Sequence, residues 1–193
     1  MKIKTERLII REFEVSEKDM NGIYEIFSDV TVNKYLPWYP LKNYQEAEEF
    51  YHKKILPKNN EKNSYYFAIC LKENNSPIGY VAVSGDEGHD FGYGLQKEYW
   101  GKGIISEAVE AVLSFLSTTD IGFVTATHDV NNIGSGKVME KNGMTYHYSY
   151  VEQWQPKDIE VTFRMYQLNF DSRVETYMGY WNKYPNHFIE DIF

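Results

Sequence analysis

Apolar positions along the chain follow two rhythms, and the change from one to the other divides it into elements. "RLIIREF" (7–13) is a β-rich run and predicts a strand. "SEKDMNGIYEIFSD" opens with Ser16, carries Asp19 three residues later and sets Ile23, Ile26 and Phe27 on one face, the pattern of a capped helix. "NYQEAEEFYHKKILP" predicts a second helix, with Asn43 as N-cap, Glu46 at the third position and Pro57 beyond its end. "YYFAICL", "IGYVAVSG" and "HDFGYGL" predict three strands, the first two joined by the turn "KENNSP". From Ile104 to Leu116, apolar residues fall at 104, 105, 108, 109, 112, 113 and 116, a strongly amphipathic helix. "GFVTATHD" predicts a strand and "NNIGSGKVMEKNG" a short helix closed by Gly143. "MTYHYSYVEQW", "QPKD" and "IEVTFRMYQLNF" form a last hairpin.

The predicted order is therefore β-α-α-β-β-β-α-β-α-β-β. The strand–helix–strand unit from about 89 to 129 is expected to be parallel and right-handed, with antiparallel hairpins on either side. This predicts an α/β fold of the α+β kind: a central mixed sheet of about seven strands flanked by about four helices. One domain is expected over residues 1–170, followed by an aromatic C-terminal extension, 171–193, without clear periodicity.

Composition narrows the function. With 193 residues the chain is long enough to bury a full core. Its 17 tyrosines are many, and such rings line cores, pockets and interfaces. Cys70 is the only cysteine, so no intramolecular disulfide framework is available. A net charge of −8 argues against nucleic acid as the main partner. The N-terminal segment lacks a cleavage site, and no run approaches the ~20 apolar residues of a membrane helix, so a cytoplasmic protein with no membrane partner is expected. The histidines at 52, 89, 128, 147 and 187 show no metal-ligand spacing, so no metal is expected.

The stretch with the most chemistry is "FGYGLQKEYWGKGIISEAVEAV" (91–112), where a strand gives way to a Gly-Lys-Gly turn and then to the long helix. A helix start offers unpaired amides and partial positive charge, Lys102 adds a cation, and Gly101 and Gly103 tolerate unusual backbone angles. The turn is either an anion site or only a tight strand-to-helix connection. Two phosphate motifs are excluded. Gln96 stands where a P-loop needs its first glycine and Gly103 follows Lys102, while "GYGLQK" has Lys97 in place of the third glycine of a dinucleotide fingerprint.

"EYWGKGIISEA" resembles the acyl-CoA-binding turn of the GNAT acetyltransferases, Q/R-x-x-G-x-G/A, with Glu98 at the Gln/Arg position. Together with "TERLIIREF", "PIGYVAVS" and "NNIGSGKVMEKNGM", it is similar to the branch that acetylates ribosomal proteins (RimJ/RimL-like), over roughly residues 3–170. The resemblance implies two splayed parallel strands with acetyl-CoA between them as cosubstrate. Pantetheine would pair with strand groups around Leu95. The pyrophosphate would lie on the amides of Gly101, Lys102, Gly103 and Ile104, and Trp100, Asn132 and Lys137 would border the same ligand. Lys97 and Lys141 would add positive charge.

The implied reaction is acetyl transfer to a primary amine, either a protein N-terminus or a small molecule, by direct attack in a ternary complex. The oxyanion is expected to meet a strand amide near Gly94 and Leu95. Asp90 is the candidate base, or else an ordinary loop-end carboxylate; Asp86, Glu87 and His89 are its neighbours in the same stretch. Many relatives place a tyrosine acid where this chain has Met139, so the acid falls to Ser135, which could equally stabilise its helix. Asn132 serves CoA or caps that helix, and Trp38 and Tyr39 wall the acceptor pocket or staple the N-terminal helices together. Met139 keeps a second reading open, a non-catalytic acyl-CoA-binding or sensing module. A monomer or homodimer is expected.

Overall fold

The computed structural model describes residues 1–191, so residues 192–193 of the expected extension lie outside the described residues. In chain order the elements are β1 Lys2–Lys4, β2 Leu8–Glu12, α1 Glu17–Ser28 and α2 Val30–Asn33, then α3 Tyr44–Phe50, a π-helical stretch Tyr51–Ile55 and α4 Leu56–Asn59. Strands β3 Tyr65–Leu71, β4 Pro77–Val83 and β5 Phe91–Leu95 follow, then α5 Ile104–Leu116, β6 Phe123–Asp129 and α6 Ile133–Lys141. The chain closes with β7 Thr145–Trp154, β8 Ile159–Asn169, α7 Gly179–Lys183 and β9 His187–Phe188.

Both predicted N-caps form: Ser16 accepts from the Asp19 amide, and Asn43 accepts from the Glu46 amide while Glu46 reaches back to the amide of Lys42. Pro57 does not end the second helix as expected. It enters the first turn of α4, directly after the wider π-turn, a position where a missing amide leaves no carbonyl of an ordinary helical ladder short of its donor.

The expected single mixed sheet is divided in two. Strands β1-β2-β3-β4-β5 form one antiparallel sheet and β6-β8-β7-β9 another. The predicted parallel contact between β5 and β6 survives as one bridge, Asp90 to Thr125, beside which the Thr125 amide and hydroxyl both donate to the Gly88 carbonyl. Beyond it β5 turns to α6 instead, through a hydrogen bond of 2.8 Å from the Tyr93 hydroxyl to the Ser135 carbonyl.

One face of the first sheet packs on α5, which buries Ile104, Ala108, Val109, Val112, Leu113 and Leu116. Each large aliphatic side chain buried in this way contributes about 2 kcal/mol. The opposite face packs on α1 and α3 around Ile23, Ile26, Phe27 and Phe50. A buried ion pair, Arg11 to Asp19 at 2.7 and 2.9 Å, ties β2 to α1. The C-terminal segment packs Tyr180, Trp181 and Tyr184 on Tyr148, Tyr150 and Phe163 of the second sheet. Among the described residues, no helix is long and apolar enough to cross a membrane.

Candidate functional site

The splay between β5 and β6 leaves a strand edge without a partner strand. The Ser84 amide donates to the Asp90 carbonyl and the Gln96 amide to the Ile78 carbonyl, which fixes the alternation of the β4–β5 ladder. Residues 92 and 94 therefore spend their backbone groups on β4, whereas Phe91, Tyr93 and Leu95 turn theirs toward the gap. This corrects the sequence expectation at Gly94: the amides free to meet a ligand are those of Tyr93 and Leu95. The Leu95 carbonyl already accepts the Trp100 indole N–H at 2.7 Å.

At the open end of the gap lies the glycine turn. Gly101 and Gly103 have φ of 73° and 74°, and Gly103 is the residue immediately before α5. A Cβ on Gly101 would meet nothing within 4 Å, and one on Gly103 only the tip of Arg7 at 3.6 Å. The turn thus needs glycine for its left-handed backbone and is not crowded by protein atoms, so space remains for an anion against the first amides of α5. Arg7 holds the turn from outside: its Nη1 donates to the Lys102 carbonyl at 2.9 Å and its Nε to Glu107 at 2.6 Å. A hollow of about 570 Å³ beside the turn is lined by Arg7, Gly103, Ser106, Glu107, Lys141 and Asn142 among others.

From the turn, one cavity of about 950 Å³ runs along β5 to the bridge at Asp90 and on toward the second sheet. Gly94 makes room for the Tyr80 ring of β4, which lies so close that a Cβ would stand 2.5 Å from Cε1. Among the described residues, three buried side-chain polar atoms lack a hydrogen-bond partner: Tyr66 Oη, Asp90 Oδ1 and His128 Nε2. All three residues line this cavity. Leaving such groups unpaired costs about 1–3 kcal/mol each, so their convergence on one space is the signature of a ligand site.

Burial pushes the Asp90 carboxyl up to about 6, and the nearby Asp86 charge adds to the shift against the Tyr180 hydroxyl and the Lys58 charge. Burial likewise lowers His128, favouring its neutral form. Ser135 Oγ donates to Tyr93 Oη at 3.2 Å, while the Tyr93 hydroxyl donates back to the Ser135 carbonyl, and burial raises the Tyr93 phenol. Met139 is buried at the cavity wall and offers no proton. Among the described residues, no cluster of three or more His, Cys, Asp or Glu is placed to hold a metal.

Of the residues selected from sequence, Asp90, Leu95, Trp100, Gly101, Asn132, Ser135 and Trp38 line the one cavity. Gly103 borders the outer hollow, and the lysines at 102 and 137 are exposed on the turn and on α6. Ile104 is buried beneath the turn. Trp38 also packs on Phe27 and Phe50, with its indole N–H on Asn33. Tyr39 is 60% exposed and donates to the Pro156 carbonyl, outside the cavity lining. Sequence reasoning did not select Arg7, Tyr66, Tyr93, His128 or the tyrosines at 150, 180 and 184. Tyr93 was discoverable, since it alternates with Gly92 and Gly94 and so must face away from them.

A sequence profile described as "Acetyltransferase (GNAT) domain" matches residues 7–145. The uncharacterized N-acetyltransferase YnaD of Bacillus subtilis is 33% identical over 148 residues, 75% of this chain and 82% of its own length. A GNAT-family acetyltransferase structure from Bacillus anthracis superposes with a TM-score of 0.76 at 27% identity, covering 88% of this chain and 99% of that one. RimL, a ribosomal-protein acetyltransferase solved with coenzyme A, shares the fold at a TM-score of 0.77 and 18% identity, covering 89% and 99%.

Proposed function

The chain belongs to the GNAT acetyltransferase family and is an acetyl-CoA-dependent acyltransferase, and from that premise we propose how its residues divide the work of acetylating a primary amine. The observation that carries this reading is the cavity itself, which begins at an uncrowded glycine turn and ends among partnerless polar atoms.

Acetyl-CoA enters as a cosubstrate. Its pyrophosphate lies on the amides of Gly101, Lys102, Gly103 and Ile104, with Arg7 holding the turn in shape. Its pantetheine lies along the free edge of β5, bordered by Trp100 and Asn132, while Lys137 adds charge from α6. The carbonyl oxygen of the thioester meets the amide of Tyr93 or Leu95, so that negative charge developing there finds a fixed donor.

The amine nitrogen then attacks the thioester carbon. A C–N bond forms, the C–S bond breaks, one proton leaves nitrogen and one arrives on sulfur. Asp90 takes the proton from nitrogen, directly or through water, and its raised pKa matches this task at neutral pH. An amine of pKa ~10 is almost wholly protonated at pH 7, so a base matters more for an alkylamine than for an α-amine of pKa ~8. The Ser135 hydroxyl turns from its contact with Tyr93 to give its proton to the departing thiolate, and it takes a replacement from solvent water while the proton held by Asp90 returns to solvent. Cys70 takes no part: it is buried in β3, and burial pushes its thiol up to about 12.

Direct attack requires both substrates on the enzyme at once. Initial rates measured against acetyl-CoA at several fixed amine concentrations should give intersecting double-reciprocal lines. Parallel lines would mean an acetylated enzyme and would overturn the mechanism. Ser135→Ala should lower kcat about 10–100-fold with the acetyl-CoA KM unchanged, and an unchanged kcat would remove Ser135 from the reaction.

A further inference from the structure

The far end of the cavity is aromatic, and part of it is supplied by the segment that follows the last long strand. Tyr150, Trp154, Phe163, Tyr180 and Tyr184 all line it. Tyr150 stacks on Tyr184 at 4.7 Å and 7°, and on Tyr180 at 5.3 Å and 16°, while Trp154 meets Phe163 edge-on at 5.3 Å. Both stacking partners of Tyr150 come from α7 and the residue just after it.

That segment is fixed in place. Strand β9 pairs with β7 at Ser149 and Tyr150, the Tyr148 hydroxyl donates to the Tyr177 carbonyl at 2.7 Å, and Arg164 binds Glu190 through two nitrogens. The opposite rim is fixed as well. Tyr35 donates to the Asn131 carbonyl and Tyr39 to the Pro156 carbonyl, while Lys157 donates to the carbonyls of Asn33 and Lys34. The loop after α2 is thereby tied to the β6–α6 connection and to the β7–β8 turn.

Two consequences follow for an acceptor. An extended peptide advances about 3.4 Å per residue and needs an open groove to carry it away, whereas the rim at the α2 loop is bridged by hydrogen bonds to the β6–α6 connection and the β7–β8 turn. The 950 Å³ must also hold the acetylated end of the cosubstrate, which leaves room only for a compact acceptor. The polar side chains lining the same cavity include the carboxylates of Asp90, Asp129 and Glu152, the Tyr66 hydroxyl, the His128 imidazole, and Lys58, which donates to Ser84 Oγ. A carboxylate among aromatic rings suits an ammonium group attached to a flat apolar body.

We propose that the acceptor is a small primary amine with a flat, largely apolar body, and that Tyr180 and Tyr184 of the C-terminal segment set this preference. The inference rests on the acetyl-transfer reading and deepens it by naming the acceptor class. Tyr180 and Tyr184 act as specificity-determining residues and do not hold the cosubstrate.

The test compares kcat/KM of the full chain for tryptamine and 2-phenylethylamine with that for spermidine and for a hexapeptide with a free N-terminal serine. The two flat amines should exceed the others by about tenfold or more. Tyr184→Ala and Tyr180→Ala should each raise the tryptamine KM about tenfold and leave the acetyl-CoA KM unchanged, with Tyr180→Phe restoring the native value. Equal or better use of the peptide or spermidine overturns the proposal, as does an unchanged tryptamine KM in the two alanine variants. Calorimetric titration of tryptamine into CoA-loaded protein separates this from failure of the reaction itself. Tryptamine binding that Tyr184→Ala weakens, without turnover, upholds the pocket and sinks acetyl transfer. Turnover of all amines alike, with no effect of Tyr184→Ala, sinks the pocket and leaves acetyl transfer standing.

Discussion

At Asp90, the proposed base, burial sets stability against the charge that the proposed chemistry needs. Its carboxyl is raised to about 6 by burial, so the folded protein holds that proton more tightly than the unfolded chain. Stability linked to Asp90 therefore rises as pH falls from about 6 toward the unfolded value near 4, and the charged form costs at most about 3 kcal/mol at pH 7. Asp90→Asn should accordingly raise Tm at pH 7, lose that advantage near pH 4, and lower kcat/KM about 100-fold. In the native protein kcat/KM should climb through pH ~6 as Asp90 ionises. A variant with native kcat/KM and an unshifted pH profile would remove Asp90 from the chemistry. Asp90 and Ser135 could both be selected from sequence as candidates, because motif position names a residue, and both line the cavity. The Tyr93 contact with Ser135 could not, because it spans 42 positions and depends on the side of β5 that faces α6.

At the level of elements, the helical and strand periods located the long helices and strands, and both predicted N-caps are made by the residues named for them. The short elements β1, α2, α4, α7 and β9 escaped. Pro57 reads as a stop in the sequence because the π-turn ahead of it leaves no mark in a 3.6-residue pattern. Helix α7 escapes sequence reading because it is only five residues long and its face is carried by aromatics, Tyr177, Tyr180, Trp181 and Tyr184 at i, i+3, i+4 and i+7, with the apolar Met178 off that face. The glycine turn is an element whose shape is held by another. Arg7→Ala frees the Lys102 carbonyl and the Glu107 carboxylate, and should raise the acetyl-CoA KM several-fold with little change in kcat. Gly103→Ala forces a left-handed angle on a residue with Cβ, at about 1–2 kcal/mol, and should weaken CoA binding through the same turn. By contrast, Asp19→Ala leaves Arg11 buried without its partner and should cost about 3–5 kcal/mol of unfolding free energy, read by denaturant titration, with the acetyl-CoA KM of the folded protein unchanged.

At the scale of the whole molecule, the site exists because two sheets meet at a single bridge and diverge. Sequence order predicted a parallel unit from about 89 to 129, and the family resemblance implied the splay, but only the register of β4 with β5 reveals which amides face the gap. The aromatic end of the cavity was not legible at all. It joins β7 and β8 to a segment some thirty residues later, and such a meeting is a property of packing and not of local pattern. The same packing makes the C-terminal segment part of the second sheet's core, so Glu190→Gln, which weakens its pairing with Arg164, should speed hydrogen exchange of α7 and β9 before that of α5. Uniform protection across all three would contradict that order.

Direct transfer from acetyl-CoA to an amine held in the same cavity is read from the release of free CoA thiol. The purified chain is incubated with acetyl-CoA and a panel of small amines and peptides, and thiol is measured alongside the N-acetylated product by mass. Saturable thiol release that requires an amine and matches N-acetyl product mole for mole is the expected result. Binding of acetyl-CoA with no amine-dependent release across the panel would contradict it.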